Sequence, residues 1–127
     1  MSATPEEALV DRYLAAYNAF DIDGMLAQLA REVRFENWSD GELTASSDGI
    51  EAFRALAERA RTLFSAREQR IVSVERSGDA LLAIIDWRGT LAADIPDGPG
   101  AGTVLELRGE SEFGFADGRI ARIVDRS

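Results

Sequence analysis

The stretch TVLELRGESEFGFADGRIARIVD, residues 103–125, alternates polar and apolar side chains on both sides of the break Ala116-Asp117-Gly118. Period-two alternation interrupted by a short Gly-containing connection is the pattern of an antiparallel hairpin. The same period extends backward through Ala80–Ala93, across the Pro/Gly loop Asp94–Gly102, and through Glu68–Ser77, across Ser77-Gly78-Asp79. Four strands are therefore expected, about Glu68–Ser77, Ala80–Ala93, Thr103–Phe115 and Arg119–Asp125. In Thr103–Phe115 the odd positions Leu105, Leu107, Gly109, Ser111, Phe113 and Phe115 oppose a charged set, Glu106, Arg108, Glu110 and Glu112, so the odd set faces the interior. In Ala80–Ala93 both faces are partly apolar. Leu82, Ile84, Asp86, Arg88 and Thr90 share one, and Leu81, Ala83, Ile85, Trp87 and Leu91 the other, so alternation leaves the inner face open.

Upstream of Glu68 the period is helical. Thr4-Pro5-Glu6-Glu7 supplies a capping threonine, a proline at the first helical position and a glutamate placed for a capping box. Leu9, Tyr13, Ala16, Tyr17 and Phe20 follow at helical spacing, which puts both tyrosines on the apolar stripe. Asp21 caps a short second helix carrying Met25, Leu26 and Leu29. Val33–Trp38 alternates like a strand, and Ser39-Asp40-Gly41 reads as the turn that ends it. Asp48, with Glu51 three residues on, opens a long helix with Ile50, Phe53, Ala57, Ala60 and Phe64 on one face. Three helices followed by a run of strands predict an α+β domain, with the helices laid on one face of a curved antiparallel sheet.

Composition narrows the chemistry. The chain has 127 residues, a length that suits one domain spanning 1–127. Hydrophobic residues at 46% and charged residues at 29% match a folded globular protein rather than a disordered chain. All 14 basic residues are arginines, set against 23 acids for a net charge of −9, and Cys and His are absent. Ser-His-Asp and Cys-His nucleophile systems, Schiff-base and P-loop lysines, disulfides and Cys/His zinc sites are thereby excluded. Proton transfer falls to Asp, Glu, Tyr or water. The acid surplus argues against nucleic acid, which demands a basic face. No apolar run reaches a membrane span, and Met1–Pro5 lacks the basic and apolar regions of a leader, so a cytoplasmic location is expected.

The order helix, short helix, strand with Phe-Glu-Asn-Trp, helix opening Asp-Gly-Ile-Glu-Ala-Phe, and terminal hairpin Phe-Ala-Asp-Gly-Arg-Ile-Ala-Arg-Ile resembles the SnoaL-like branch of the nuclear-transport-factor-2-like superfamily across nearly the whole chain. The resemblance implies a cone-shaped, cystatin-like fold: a bent antiparallel sheet wrapped around three N-terminal helices, leaving a deep apolar pocket, often in a dimer. Ketosteroid isomerase, within that superfamily, places a tyrosine on the first helix, matched here by Tyr13. Its base position falls on Asn37 and its second acid on Ser111, so proton abstraction cannot run as it does there. Limonene epoxide hydrolase is similar in another way. Its water-holding asparagine matches Asn37, its water-activating aspartate matches Asp125, and its Arg-x-Asp pair falls in reversed order on Asp86 and Arg88. A tyrosine that also holds the water there is Phe35 here.

That alignment implies that Asp86 and Arg88 face the pocket, and sends Ile85 and Trp87 to an outer, homodimer-forming surface. The catalytic set so implied is Asp125 as base, Asn37 as water holder, Arg88 as charge organiser, Asp86 as acid or second base, and Tyr13 as hydrogen-bond donor. Trp38, Phe35, Phe53, Leu82, Ile84, Leu107, Ser111, Phe113, Ile123 and Tyr17 would line the cavity around an apolar small molecule. Cofactor-free acid–base chemistry follows, with epoxide hydration its most concrete form. A non-catalytic binding or assembly domain and a polyketide-cyclase-like or isomerase activity are the alternatives. Each residue also has a plainer reading: Asp86 and Arg88 as a strand-face salt bridge, Asp125 paired with Arg122 or Arg126, Tyr13 and Tyr17 as core aromatics, and Asn37 as a strand-end backbone partner. Trp38 reads equally as pocket wall or as lid over the Asp40-Gly41 turn. Glu106, Glu110 and Glu112 read as a solvated face, and Asp94–Gly102 as a loop.

Overall fold

In a computed structural model, which describes residues 4–127, the Thr4 hydroxyl accepts a hydrogen bond from the Glu7 amide at 3.1 Å and starts helix α1, Pro5–Asn18. The part of the leader reading that rests on residues 1–3 lies outside the described residues. Asp21 accepts from the Gly24 amide at 3.0 Å and starts α2, Ile22–Leu26. Both caps satisfy amides that a helix start leaves without a partner. Strand β1, Leu29–Ser39, is longer than the alternation in Val33–Trp38 indicated.

Asp40-Gly41 does more than end that strand. Both residues have positive φ, 51° and 79°, the geometry of a two-residue hairpin turn, and the chain folds back as β2, Glu42–Asp48. Asp48 is therefore not the cap of the third helix. It closes β2 and pairs with Arg34 at 3.0 Å. Helix α3, Ile50–Arg61, is capped instead by Gly49 at φ 88°, a conformation open to glycine because it has no Cβ. The helix also stops short of Phe64, which opens β3, Phe64–Ser77. Strands β4 (Ala80–Leu91), β5 (Val104–Ala116) and β6 (Arg119–Arg126) follow.

The six strands form one sheet in the order β2-β1-β6-β5-β4-β3. All neighbours are antiparallel except β1 and β6, so the expected antiparallel sheet is mixed. The last strand returns to lie beside the first and sets Asn37 next to Asp125 in register.

Directly paired residues share a face of a sheet. The pairs Leu81–Phe113, Ala83–Ser111, Ile85–Gly109 and Trp87–Leu107 place the odd residues of β4 with the odd, inward residues of β5. The core confirms that orientation. It joins Leu9, Val10, Tyr13 and Leu14 of α1, Met25 and Leu26 of α2 and Phe53 of α3 to Leu81, Ala83, Ile85, Phe113, Ile120 and Ile123 of the sheet. Ile85 is 3% exposed, so Ile85 and Trp87 are not the outer, dimer-forming surface expected from the alignment. The outer face of β4 carries Leu82, Ile84, Asp86 and Arg88, paired with Glu112, Glu110, Arg108 and Glu106. Among the described residues no helix is long and apolar enough to cross a membrane.

Candidate active site

Between the helices and the concave face of the sheet lies a cavity of about 470 Å³. Its walls are mostly apolar and aromatic. Met25, Phe53, Leu56 and Ala57 come from the helices, and Phe35, Phe64, Ile85, Trp87 and Leu107 from the strands. Phe35 meets Phe53 edge-on at 5.6 Å, and Tyr13 meets Phe53 at 6.4 Å, so the rings brace one another. Such a hollow with a few converging polar groups is the usual form of a small-molecule site.

The polar groups come from three adjacent strands. Asn37, Asp125 and Ser111 stand side by side on β1, β6 and β5 and all line the cavity. The Ser111 hydroxyl, 4% exposed as a residue, donates to Asp125 Oδ1 at 2.6 Å. Burial pushes the Asp125 carboxyl up to about 6, against which the Ser111 bond works in the opposite direction. Burial also raises the Tyr13 hydroxyl well above its ordinary value, and the Asp125 charge adds to the effect. Tyr13 thus keeps a neutral O–H over the whole physiological range, in the same cavity as a carboxyl that ionises near neutrality. Asn37 uses its amide Nδ2 to donate to Thr44 Oγ1 at 2.8 Å.

At the opposite end of the cavity, the Trp87 indole donates to the Tyr17 hydroxyl at 2.9 Å and packs edge-on against Phe64 at 5.2 Å. Gly89 makes that position available. A Cβ there would stand 2.6 Å from the indole ring and 3.0 Å from Phe64. Gly89→Ala is expected to swing Trp87 away from Tyr17 and to cost about 1–3 kcal/mol through overpacking. Urea unfolding and the near-ultraviolet circular dichroism of the indole would read both effects, and an unchanged spectrum would contradict this placement. Beside Tyr17 sits Arg67, 7% exposed, with its guanidinium 3.8 Å from the Tyr17 ring centre and 4.6 Å from that of Phe20.

The expected site residues divide into three groups. Asp125, Asn37, Tyr13, Tyr17, Phe35, Phe53, Leu107 and Ser111 line the cavity. Phe113 and Ile123 point inward but are 1% exposed each and form core beneath the wall, with Phe113 edge-on behind Tyr13 at 6.2 Å. Asp86, Arg88, Leu82, Ile84 and Trp38 lie on the far side of the sheet. There Asp86 accepts from Arg108 Nε at 2.7 Å and Arg70 Nη2 at 3.1 Å, and Arg88 lies 3.7 Å from Glu106. The Arg108 bond holds the Asp86 carboxyl below its usual range, the reverse of what a proton donor requires. Trp38 donates to Glu36 on that same face at 2.8 Å. Asp86 is thus held in a strand-face ion pair, but with Arg108 and Arg70 on the neighbouring strands rather than with Arg88 as expected, and Asp86 and Asp125 lie on opposite faces of the sheet. Arg67, Trp87 and Phe64 were missed as site residues. Phe64 and Arg67 precede Glu68, where the alternation in the sequence starts, and Trp87 faces the cavity rather than the outer surface that the resemblance implies.

Residues 10–123 match the model of the SnoaL-like domain. The chain belongs to that family. Among solved structures, this SnoaL-like chain is similar to a candidate polyketide cyclase from Xanthomonas campestris pv. campestris, at 27% identity and TM-score 0.81, covering 97% of this chain and 90% of that one. A protein from Catenulispora acidiphila with a ketosteroid isomerase-like fold, in complex with trimethylamine, is 18% identical with TM-score 0.77 over 97% and 85% of the two chains. TerC, co-crystallised with polyporic acid, is 16% identical with TM-score 0.77 over 96% and 90%. The last two likenesses are of fold. No curated protein matches this SnoaL-like chain.

Proposed function

We propose that this SnoaL-like protein is a cofactor-free enzyme that removes a proton from carbon next to a carbonyl of an apolar substrate, leading to ring closure or isomerisation. The observation that carries the reading is the Asp125 carboxyl, raised to about 6 on the wall of an apolar cavity. A base is most effective when its pKa lies near the working pH. As the C–H bond breaks, the proton passes to Asp125 and the electron pair moves onto the carbonyl oxygen. The un-ionised Tyr13 hydroxyl is the donor available to stabilise that oxygen. Ser111 keeps the carboxylate oriented through its 2.6 Å bond.

Proton abstraction from carbon needs one base and one donor, and the cavity supplies both. Epoxide hydration keeps Asp125 beside Asn37, but its second carboxylate, Asp86, is across the sheet in an ion pair with Arg108. The likeness to the candidate polyketide cyclase, at 27% identity, adds weight to ring chemistry.

The test is hydrogen–deuterium exchange at the α carbons of 2-tetralone in deuterated water, followed by proton magnetic resonance. Wild-type protein and Asp86→Asn should accelerate exchange equally, and Asp125→Asn should not accelerate it. Exchange no faster than in buffer would favour a binding module. Loss of exchange in Asp86→Asn would contradict the assignment of that residue to the outer face.

A further inference from the structure

Arg67 raises a question that the proton-transfer chemistry does not answer. In a chain with 23 acids and 14 arginines, this guanidinium is 7% exposed and makes no ion pair among the described residues. Its Nε donates to the backbone carbonyl of Tyr17 at 3.0 Å, at the C-terminal end of α1, where a cation suits the helix dipole. That contact explains one of its donor nitrogens. Nη2 is buried without a hydrogen-bond partner, and the residue lines the cavity. The Tyr17 and Phe20 rings lie against the guanidinium, and their faces leave Nη2 without a partner. A buried cation with unsatisfied donors is costly unless an anion completes it.

We propose that Arg67 is the anchor for a carboxylate carried by the substrate, so that the cavity takes an aromatic or polycyclic acid. This builds on the reading of the cavity as the substrate site and names the chemical class that it admits. The anion is a permanent one rather than the enolate formed in the reaction. Tyr13 feels the charges of both Asp125 and Arg67, whereas Asp125 is shifted only by burial and Ser111. Asp125 stands on β6 and Arg67 on β3, with β5 and β4 between them in the sheet, and both line the cavity. A substrate spanning them presents its carboxylate to the guanidinium and its reacting carbon to the base, with the aromatic walls between.

Calorimetric binding of 2-naphthoate and of its uncharged methyl ester tests the proposal. Wild-type protein should bind the acid about 10- to 100-fold more tightly than the ester, the range of one charged hydrogen bond. Arg67→Gln should erase the difference, and Arg67→Lys, which keeps the charge, should restore part of it. An arginine that only caps α1 would change stability in these variants without changing the acid-to-ester ratio. Should neither variant fold, the carboxyl carbon-13 signal of 2-naphthoate bound to wild type decides: a guanidinium holds the acid ionised below its free pKa, and apolar walls raise that pKa. Equal binding of acid and ester, no binding of the acid, a preference that survives Arg67→Gln, or a raised ligand pKa overturns the anchor. The outcome is separable from the base chemistry. Uncharged 2-tetralone exchanges its protons whether or not Arg67 binds an anion, and Asp125→Asn should keep the acid preference while abolishing exchange.

Discussion

Asp125→Asn is expected to lower the rate of carbon-proton exchange by about 10²–10⁴-fold, the usual contribution of a positioned base, and at the same time to stabilise the fold. The two effects share a cause. The native Asp125 carboxyl has a pKa of about 6, against 3.8 for the free group. Between those values the native state holds a proton that the unfolded chain has released, so stability falls as pH rises from about 4 to about 6. The full gap corresponds to about 3 kcal/mol, and water reaching the open cavity brings the expected cost to about 1–3 kcal/mol. Asparagine carries no charge to desolvate and still accepts the Ser111 hydrogen bond. Urea unfolding of both proteins at pH 4 and pH 7.5 would measure this. The variant should be more stable at pH 7.5, and the two should converge at pH 4. Wild-type exchange should rise with pH through a midpoint near 6. A destabilised variant at neutral pH would mean that Asp125 is held by partners as an ordinary ionised carboxylate.

Phe113→Ala is expected to remove about 3–5 kcal/mol of stability, a large part of the roughly 5–15 kcal/mol typical of a domain. Phe113 is 1% exposed and lies where β4, β5, β6 and α1 meet, between Leu81, Ile123 and the edge of Tyr13. Its loss leaves a void that backbone hydrogen bonding on both sides prevents from closing. Because the ring backs Tyr13, the remaining folded protein should also have a less ordered hydroxyl donor and slower exchange. The urea midpoint gives the first effect and exchange under fully native conditions the second. A cost of about 1 kcal/mol or less would place Phe113 at the cavity surface, as the alignment had implied, rather than beneath it.

Local signals were legible wherever chemistry acts on its own neighbourhood. Thr4 with Glu7 and Asp21 with Gly24 are caps made within four residues, and each forms as the sequence indicates. Strand β2 was not legible, because Leu43 and Ala45 are its only apolar residues, too few to mark a face. It is held by pairing with β1 and by the Asp40-Gly41 turn rather than by a hydrophobic face of its own. Asp48 looked like a helix cap because an acid followed three residues later by glutamate fits that pattern. Its carboxylate was instead taken up by Arg34 across the β1–β2 pair.

The site was legible in part for the same reason. Tyr13 and Tyr17 follow from helical spacing, and Ser111 from the charged alternation of β5. The inner face of β4 did not follow, because both of its faces are apolar enough. Only the register set across residues 92–103 determines that Trp87 meets Leu107 and Asp86 meets Arg108. A register change of one residue exchanges the two faces. The implied pairing of Asp86 with Asp125 failed at this point.

By itself, the sequence determined which chemistry was available: carboxylates and tyrosines without histidine, cysteine or lysine, on three helices and a run of strands. Composition and periodicity depend on each residue and its near neighbours, so folding cannot alter them. The tertiary structure decided which carboxylate is desolvated and which is neutralised by arginine. It also brought Arg67, from the start of β3, against the end of α1, 50 positions earlier. Burial and charge pairing depend on what the rest of the chain places around a group, and that is settled only when distant strands and helices close into one cone.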